Sequence, residues 1–511
     1  MAQDVTALPS AGADVRLGNL RNQLDRSFQG PQQRTVAPGW TTSASIGVDG
    51  AYSDGVSAST GGRPGGFFYT TVTPTIGVQG DAQRLSGSLF YAPQLREYPS
   101  SQSQSGIDHN LNAGGRLTVL PELAFIDVRA ASGIQSRSGG LGPNGTSTIA
   151  RQDQVQTTSL SIAPRVQYRF DTFGQLIAGY TFSKTSFTGT QPLVASPFVS
   201  PQANQSLTST TPSIAFYTGD DWGRFNGSAA VQHTQNSGQG VLSHSHQNTE
   251  TVSGIYALSR VWALTGSVGH ENIAYGGTTP LRINGITWSG GVRVTPDQDT
   301  VLSLSYGKKS GHPSLSMSAR AQLSPRTRIS AQYIEALGSQ AEGFQNALAG
   351  SSIDSGGTSI SNATGEPIGL NGNFNGVQGG LTRSKVASIT LSWLLNRDAF
   401  LFTVSRDQEA ILSNSIAGGP SATSGVNGSL GWQHDFSENL NGSVFVQYGK
   451  RSASGRTSAN QDSMTGYMSL NYIVSQTLTT HIQYSHTKLT SPVPTQSSGQ
   501  NMLLFGLLKS F

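Results

Sequence analysis

Runs in which every second residue is apolar are the feature that most restricts how this chain can fold. Neighbouring side chains of a strand point to opposite faces, so such a run predicts a strand with one apolar and one polar face. Runs of this kind cover 262–268, 286–294, 301–306, 315–323 and 440–448. A tilted strand of about nine residues crosses the roughly 25 Å of hydrocarbon in an outer membrane. The pattern therefore favours membrane-spanning strands.

The composition agrees better with a barrel in lipid than with soluble domains or disorder. Apolar residues make up 35% of the 511 residues and charged residues 12%. Disordered chains are poor in aromatic residues, whereas this chain has 20 Phe, 15 Tyr and 6 Trp. A barrel with a polar lumen needs an apolar residue only at every second strand position. No stretch approaches the roughly 20 consecutive apolar residues of a membrane helix.

Tight turns alternate along the chain with longer polar connections. Pairs such as Gly80-Asp81 and Ser475-Gln476 mark the turns, and 137–153, 188–204 and 339–380 are Gly-, Ser- and Asn-rich connections. Outer-membrane barrels combine short periplasmic turns with long external loops. The spacing predicts an all-β fold, a single transmembrane antiparallel β-barrel of about 22 strands (20 to 24). Its first strand would cover about 41–52 and its last about 500–511.

Aromatic residues beside the tight turns support this orientation. Trp222, Trp262, Trp432 and Phe436 would form the aromatic girdle at the periplasmic interface. The chain ends on Phe511 after an alternating apolar strand, which resembles the signal read by the machinery that inserts outer-membrane barrels. A solenoid or propeller would show a fixed repeat, and here the connections vary several-fold in length. The predicted location is the bacterial outer membrane.

The first forty residues differ from the rest and form a predicted segment of their own, 1–40, before a barrel at 41–511. Leu17, Leu20, Leu24 and Phe28 recur at helical spacing, which predicts a short amphipathic helix. This lead-in would lie in the periplasm or form a small internal plug. The start, Met1-Ala2-Gln3-Asp4, has neither a basic nor an apolar region, as expected behind a cleaved secretory signal.

The sequence contains no arrangement of residues that predicts catalysis, so we expect no enzyme and no cofactor. His244 and His246 could share a strand face and hold a metal, but no third ligand is implied, and an exposed polar strand end explains them better. No metal site is predicted. No nucleophile motif of the G-x-S-x-G kind occurs. The net charge of +4 is too small to indicate nucleic acid as a partner.

Function would then depend on the lumen, whose predicted lining is polar with occasional aromatic residues. Such a surface suits carbohydrate, because hydroxyl groups need hydrogen-bond partners and sugar rings stack on aromatic planes. Water alone would suit the same surface, so both interpretations remain open. The predicted lining residues are Arg165, Gln167, Arg169, Arg293, Arg320, Gln322, Gln332, Gln447, Tyr467, His481 and Gln483.

The predicted width of the barrel requires something to narrow its lumen. Strands about 4.8 Å apart and tilted by about 40° give 22 strands a diameter of roughly 40–45 Å. TonB-dependent transporters of this size contain a plug domain of well over a hundred residues, and only about forty residues precede the first strand here, so that class is not expected. The loop 339–380 is the internal candidate, with Phe344, Asn346, Asn371 and Asn373 as constriction residues.

Three segments resemble a family of outer-membrane β-barrels associated with exopolysaccharide loci in bacteria that carry PEP-CTERM sorting systems. They are SIGVDGAYSDGV (45–56), TPTIGVQGDAQRL (73–85) and HNLNAGGRLTVLPELAFIDVRA (109–130). The resemblance implies a role in passing or anchoring an extracellular polysaccharide at the outer membrane. It supplies no functional residues.

These observations lead to a primary functional hypothesis and two alternatives. The primary hypothesis is a passive export channel for a secreted exopolysaccharide, with a hydrophilic lumen gated by the loop 339–380. The partners would be outer-membrane lipid, the polysaccharide, and a periplasmic or inner-membrane biosynthesis and export complex. The alternatives are a general or substrate-selective porin and a structural scaffold that holds a partner or anchors surface matrix.

Overall fold

The described residues form a closed barrel of 22 antiparallel strands, as the sequence predicted. The first and last strands pair with each other, from Ser45–Ser510 to Ser53–Met502, and this pairing closes the sheet. The structure, a computed structural model, describes Leu20, Arg21, Leu24, 39–54, 66–99, 105–136, 154–189, 205–277, 280–353, 359–361, 380–414, 421–454, 459–491 and 497–511.

The strands follow one another around the barrel in chain order, joined by hairpin connections, and two of them are interrupted. They are β1 Gly39–Ser53, β2 Phe67–Asp81, β3 Leu85–Tyr91 with Gln94–Glu97, β4 Gly106–Asp108 with Leu111–Leu120, β5 Ala124–Ser136, β6 Gln154–Phe170, β7 Gly174–Gly189, β8 Gln205–Thr218, β9 Phe225–Gly238, β10 His246–Ala257, β11 Trp262–Tyr275, β12 Leu281–Val294, β13 Val301–Lys309, β14 His312–Ser324, β15 Thr327–Ser339, β16 Gly380–Leu394, β17 Asp398–Asn414, β18 Ala422–Asp435, β19 Leu440–Ser454, β20 Ala459–Ser475, β21 Leu478–Thr490 and β22 Ser498–Ser510.

The outer face of the barrel is apolar because alternate strand residues turn outward. On β11, Trp262 and Val268 are 52% and 56% exposed, whereas Ile273 and Tyr275 on the opposite face are buried. A continuous band of exposed large apolar side chains would be costly in water and is favourable in lipid. The exposed face is therefore the lipid face, and the opposite face lines the lumen.

Aromatic rings gather at the end of the barrel that carries the tight turns, as predicted for the periplasmic girdle. The Trp222 indole N–H donates to the Phe173 carbonyl at 3.0 Å. The Phe400 ring stacks between Trp393 and Trp432, with centroids 5.4 and 6.3 Å away. Lys509 belongs to the apolar face of β22, and its Nζ donates to Thr477 Oγ1 in the adjacent turn at 2.7 Å. Both termini of the barrel lie at this end.

Helices contribute little to the described fold. A helix, α1, covers Gln340–Ala349 and lies in the long connection between β15 and β16. A short hairpin of Ser351–Ile353 and Ser359–Ser361 follows it. Among the described residues, no helix has the length and hydropathy that crossing a membrane requires.

The predicted N-terminal helix is described at three positions. Leu20, Arg21 and Leu24 are helical, and the other predicted positions, Leu17 and Phe28, lie outside the described residues. The amphipathic helix and the division at residue 40 therefore stay predictions.

Candidate functional site

The helix α1 begins with a capping box. The prediction of a loop at 339–380 did not include this helix. The Ser339 hydroxyl accepts from the Glu342 backbone N–H at 3.2 Å, and the Glu342 carboxylate accepts from the Ser339 backbone N–H at 2.8 Å. These two bonds satisfy N–H groups that the first turn of a helix leaves without partners. The spacing Ser-x-x-Glu before Phe344 and Leu348 is the signal that could have predicted this helix.

Polar side chains of the lumen wall hold α1 against the inside of the barrel. Glu342 Oε1 accepts from Asn236 Nδ2 at 2.9 Å and from the Tyr275 hydroxyl at 3.2 Å. Gln345 Oε1 accepts from the Ser209 hydroxyl at 2.8 Å. These partners lie on the inner faces of β9, β11 and β8. The helix is thus docked inside the outer half of the lumen.

The C-terminal end of α1 is held by a cation from the wall. Arg129, on the inner face of β5, donates from Nη1 to the Leu348 carbonyl at 2.9 Å and also to the Ala349 carbonyl. The last carbonyls of a helix carry partial negative charge and lack partners within the helix, so a guanidinium there is favourable.

An outer apolar cluster surrounds the docked helix inside a lumen that is otherwise polar. Phe344 of α1 packs edge-on against Phe187 of β7, with ring centroids 6.1 Å apart. The cluster joins β6, β7, β8 and β11 to β16, a strand that pairs with none of them in the sheet. These contacts connect distant parts of the wall across this part of the lumen. Its buried members are Val155, Phe187, Leu207, Val241, Leu242, Ile273, Tyr275, Ala341 and Leu381.

Burial also shifts the pKa of one carboxyl on the docked helix. Glu342 lies in the connection, outside the spanning strands. Burial raises the pKa of Glu342 above its ordinary value, and the hydrogen bonds from Ser339, Tyr275 and Asn236 oppose this effect without cancelling it. Loss of hydration disfavours the carboxylate more than these donors favour it. The docked helix therefore binds a proton at Glu342 more tightly than a helix released into water.

A second contact, the inner contact, lies at the periplasmic end of the lumen. Leu20 and Leu24 are 1% and 6% exposed and pack with Tyr467, Leu394 and Ala399. Arg21 adds an ion pair with Asp435 at 2.7 Å and a backbone bond to Gln433 Oε1 at 3.2 Å.

Gln433 and Asp435 lie on the lumen face of β18, because the intervening positions carry the lipid-facing residues. These N-terminal residues thus occupy the lumen rather than the open periplasm. The choice between a periplasmic lead-in and a small plug for residues 1–40 stays a prediction.

Arginine side chains concentrate on the inner wall of the periplasmic half, from β4 round to β15. Asp127 forms two ion pairs there, with Arg116 at 2.7 Å and with Arg165 at 3.1 Å. The resulting surface is strongly basic. This arginine wall consists of Arg116, Arg129, Arg165, Arg169, Arg293, Arg320 and Arg328.

The predicted lining residues all fall on the inner face of the barrel, in different surroundings. Arg165, Arg169, Arg293 and Arg320 belong to the arginine wall. Gln167 donates to the Glu122 carbonyl at 3.3 Å in the turn before β5. Half-buried positions are Gln322, Gln332 and Gln447.

The remaining predicted lining residues are buried rather than open to the lumen. Tyr467 stacks on Phe445 with centroids 5.4 Å apart, beside the inner contact. His481 and Gln483 are 5% and 3% exposed on β21. A direct role of these residues in binding a solute stays a prediction.

The predicted constriction residues also differ in their surroundings. Phe344 packs into the outer apolar cluster, whereas Asn346 is exposed on α1. Asn371 and Asn373 lie outside the described residues.

The two candidate metal histidines do not share a strand face, because β10 begins only at His246. His244 sits in the preceding turn with a φ of 54°, and its Nδ1 lies 2.9 Å from Ser243 Oγ.

A closed 22-strand barrel with an apolar outer face defines the class of protein: it is a β-barrel of the bacterial outer membrane. The FrpB iron transporter from Neisseria meningitidis (F3-3 variant) matches with a TM-score of 0.51 and 10% identity, over 92% of this chain and 82% of that one. FpvAI in complex with pyocin S2 matches with a TM-score of 0.50 and 10% identity, over 93% and 70%. These similarities show the fold alone.

No protein family and no curated protein matches the sequence. The resemblance to the exopolysaccharide-associated family therefore stays a prediction.

The prediction of a passive polysaccharide export channel was wrong. The solved structures that share this barrel include an iron transporter, a class distinct from passive export channels, and polysaccharide is unsupported as a partner. The short segment before β1 does not distinguish barrel folds, because elements other than an N-terminal domain can occupy a lumen, as α1 does here.

Proposed function

We propose that this protein is a gated, substrate-selective transporter of the outer membrane, closed at its outer end by α1. The observation that carries this proposal is the docking of α1 on the lumen wall through the buried side chains of Leu348 and Gln345 and the half-buried, hydrogen-bonded Glu342. The periplasmic half of the barrel is held all round by ladder hydrogen bonds and cannot narrow or widen easily. The helix is attached by side chains, so its release is the change that would open the lumen.

The attachment has a strength that suits a gate. Removing Leu348 from water contributes about 1.5–3 kcal/mol, and each net hydrogen bond from the wall about 0.5–1.5 kcal/mol. Contacts of this size lie in the range that differential binding of a solute to two states can offset.

The arginine wall suggests the class of solute. A solute below α1 meets a surface on which arginine outnumbers acidic side chains, and guanidinium groups bind carboxylates and phosphates in a bidentate manner. We therefore propose a small anionic solute. A periplasmic partner at the inner contact remains part of the proposal.

The alternatives differ in what the closed barrel would conduct. A general porin conducts steadily without any change in α1, whereas a scaffold conducts nothing even after α1 is released. Conductance of the purified protein in planar bilayers separates these possibilities.

The decisive variant is Leu348→Ala, with Asn346→Ala on the exposed side of the same helix as its control. Cutting a buried Leu to Ala costs about 2–5 kcal/mol, so open events should become at least tenfold more frequent in Leu348→Ala and remain unchanged in Asn346→Ala. Equal conductance in the two variants would contradict gating by α1.

Selectivity is tested in the opened protein. Measured from the reversal potential in a salt gradient, Leu348→Ala should prefer anions, and adding Arg165→Gln should reduce that preference. A cation preference in Leu348→Ala would contradict the anionic solute while leaving the gate intact.

A further inference from the structure

The hairpin of β13 and β14 extends less far toward the outer end of the barrel wall than the neighbouring strands do. Ladder pairing between β12 and β13 ends at Trp288–Lys308, although β12 continues to Leu281 against β11. Pairing between β14 and β15 likewise ends at Met317–Tyr333, although β15 continues to Ser339 against β16. Within the described strands, the barrel wall is therefore interrupted above these two pairs.

The tip of this hairpin is drawn into the lumen. The Gly311 backbone N–H donates to Glu271 Oε1 at 3.2 Å, and Glu271 is buried on the inner face of β11. To reach Glu271 the tip passes inside β12, where a Cβ at Gly311 would lie 3.6 Å from Ile283 Cγ2. The positive φ of Gly311, 75°, is a conformation that glycine adopts at little cost.

Because the tip moves toward β11, the opening lies on the other side of the hairpin. Residues 312–316 of β14 separate there from residues 334–339 of β15, and we name this opening the β14–β15 slot. Leu315 on the lipid face and Ser316 on the lumen face are both exposed beside this opening.

An apolar side chain is exposed on the lumen side of the slot. Tyr333 pairs with Met317 on the lipid face, so Ile334 turns inward by alternation. Ile334 is 47% exposed, whereas Leu207 and Ile273 on the inner wall of the outer half are 0% and 3% exposed. Exposed apolar surface on an inner wall marks a place that a hydrocarbon group could cover.

The slot lies at the outer boundary of the lipid-facing band. Tyr306 is the last large apolar residue on the lipid face of β13 and packs edge-on against Trp288 with centroids 6.2 Å apart. Lys308 follows it, and on β15 the next outward residue after Tyr333 is Glu335, which is paired with Lys385 at 3.5 Å. The change from apolar to charged side chains marks the edge of the hydrocarbon.

We propose that the β14–β15 slot binds an acyl chain of an outer-leaflet lipid, which passes between the strands and covers Ile334. The chain would reach Ile334 sideways from the hydrocarbon, below the charged residues, and its head group would remain near Lys308 and Lys385. A second copy of the protein, pairing a strand with the open edge of β15, is the other possible occupant. This inference does not depend on α1 acting as a gate.

The test uses the absence of cysteine in the chain to place a single fluorophore. Ile334→Cys is labelled with bimane and reconstituted in phosphatidylcholine vesicles that contain phosphatidylcholine with a doxyl group on carbon 12 of one chain. Ile389→Cys, on the lipid face of β16, is the lipid-exposed reference. Thr251→Cys, on the inner face of β10 and about as far from the periplasmic turn, is the matched inner control.

We expect doxyl quenching at position 334 to reach at least half of that at position 389, and quenching at position 251 to be near zero. Equal quenching at positions 334 and 251 would overturn the proposal. So would quenching of position 334 by aqueous iodide without doxyl quenching, since the slot would then hold water. Doxyl quenching that falls as the protein-to-lipid ratio rises would assign the edge to a second copy instead.

Discussion

His481 on β21 lies 3.3 Å from Asp49 on β1, measured from Nε2 to Oδ1, although β22 runs between these two strands. The residue of β22 in register with both is Gly506. Both side chains are buried, and a Cβ at position 506 would occupy the space in which they meet. The pair therefore spans the strand at which the barrel closes, and it depends on a glycine there.

Gly506→Ala should destabilise the barrel where it closes. A methyl group forces Asp49 and His481 apart, and overpacking of a filled site costs about 1–3 kcal/mol. The urea midpoint of unfolding in detergent micelles, followed by tryptophan fluorescence, should fall. Gly285→Ala is the matched control, because a Cβ on this strand residue of β12 meets no atom within 4 Å. An equal fall in both variants would show that the loss of glycine, not the pair, is responsible.

The closure by α1 should weaken as the pH rises. Burial raises the pKa of Glu342 in the docked helix, whereas a released helix has Glu342 near its ordinary pKa. The docked state therefore gains stability from the proton below the ordinary pKa and loses this gain as the pH rises through the raised pKa. Conductance in planar bilayers should increase from acidic to alkaline pH.

The control for this pH dependence is Glu342→Gln, which keeps the shape and cannot titrate. The groups that face this carboxyl are Tyr275 and Asn236 on the wall and Ser339 at the start of the helix. Arg129 lies at the C-terminal end of the helix. The variant should conduct independently of pH. A conductance that decreases with rising pH in the native protein would contradict the prediction.

The inner contact should depend on apolar burial far more than on charge. Leu20→Ala removes most of a buried side chain and should cost about 2–5 kcal/mol of docking free energy. Arg21→Ala should cost about 0–1 kcal/mol, since both members of the ion pair with Asp435 are partly exposed at 28% and 30%.

Hydrogen exchange of a peptide covering residues 20–24 measures both effects. Protection should disappear in Leu20→Ala and persist in Arg21→Ala. Comparable loss in the two variants would assign the contact to electrostatics.

Much of the barrel was predictable because lipid imposes a simple rule on each strand. Alternation along 315–323 reports directly which residues contact hydrocarbon, and the turns between such runs separate one strand from the next. The first strand was predicted at 41–52 and begins at Gly39, and the last was predicted at 500–511 and covers Ser498–Ser510. These small errors lie at strand ends, where no lipid contact sets the boundary.

The site was less predictable, and its errors have physical causes. Ser339 and Glu342 carry a local helix signal that was overlooked in a loop rich in Gly, Ser and Asn. The placement of Phe344 against Phe187 could not be read from the sequence, because it depends on which wall lies opposite the loop. The polar lining suggested polysaccharide, but hydrogen-bonding side chains also serve to hold α1, as Gln345 and Ser209 do.

The sequence by itself determined the outer membrane, the strand alternation and the 22-strand count, since each follows from contacts that a residue makes with lipid or with its immediate neighbours. Tertiary structure alone decided what the wide lumen contains. Asp49 meets His481, and α1 meets β5 to β9 and β11, only after the barrel has closed and brought opposite walls within reach. Contacts across a closed barrel join residues with no periodic relation in the chain, so no local pattern encodes them.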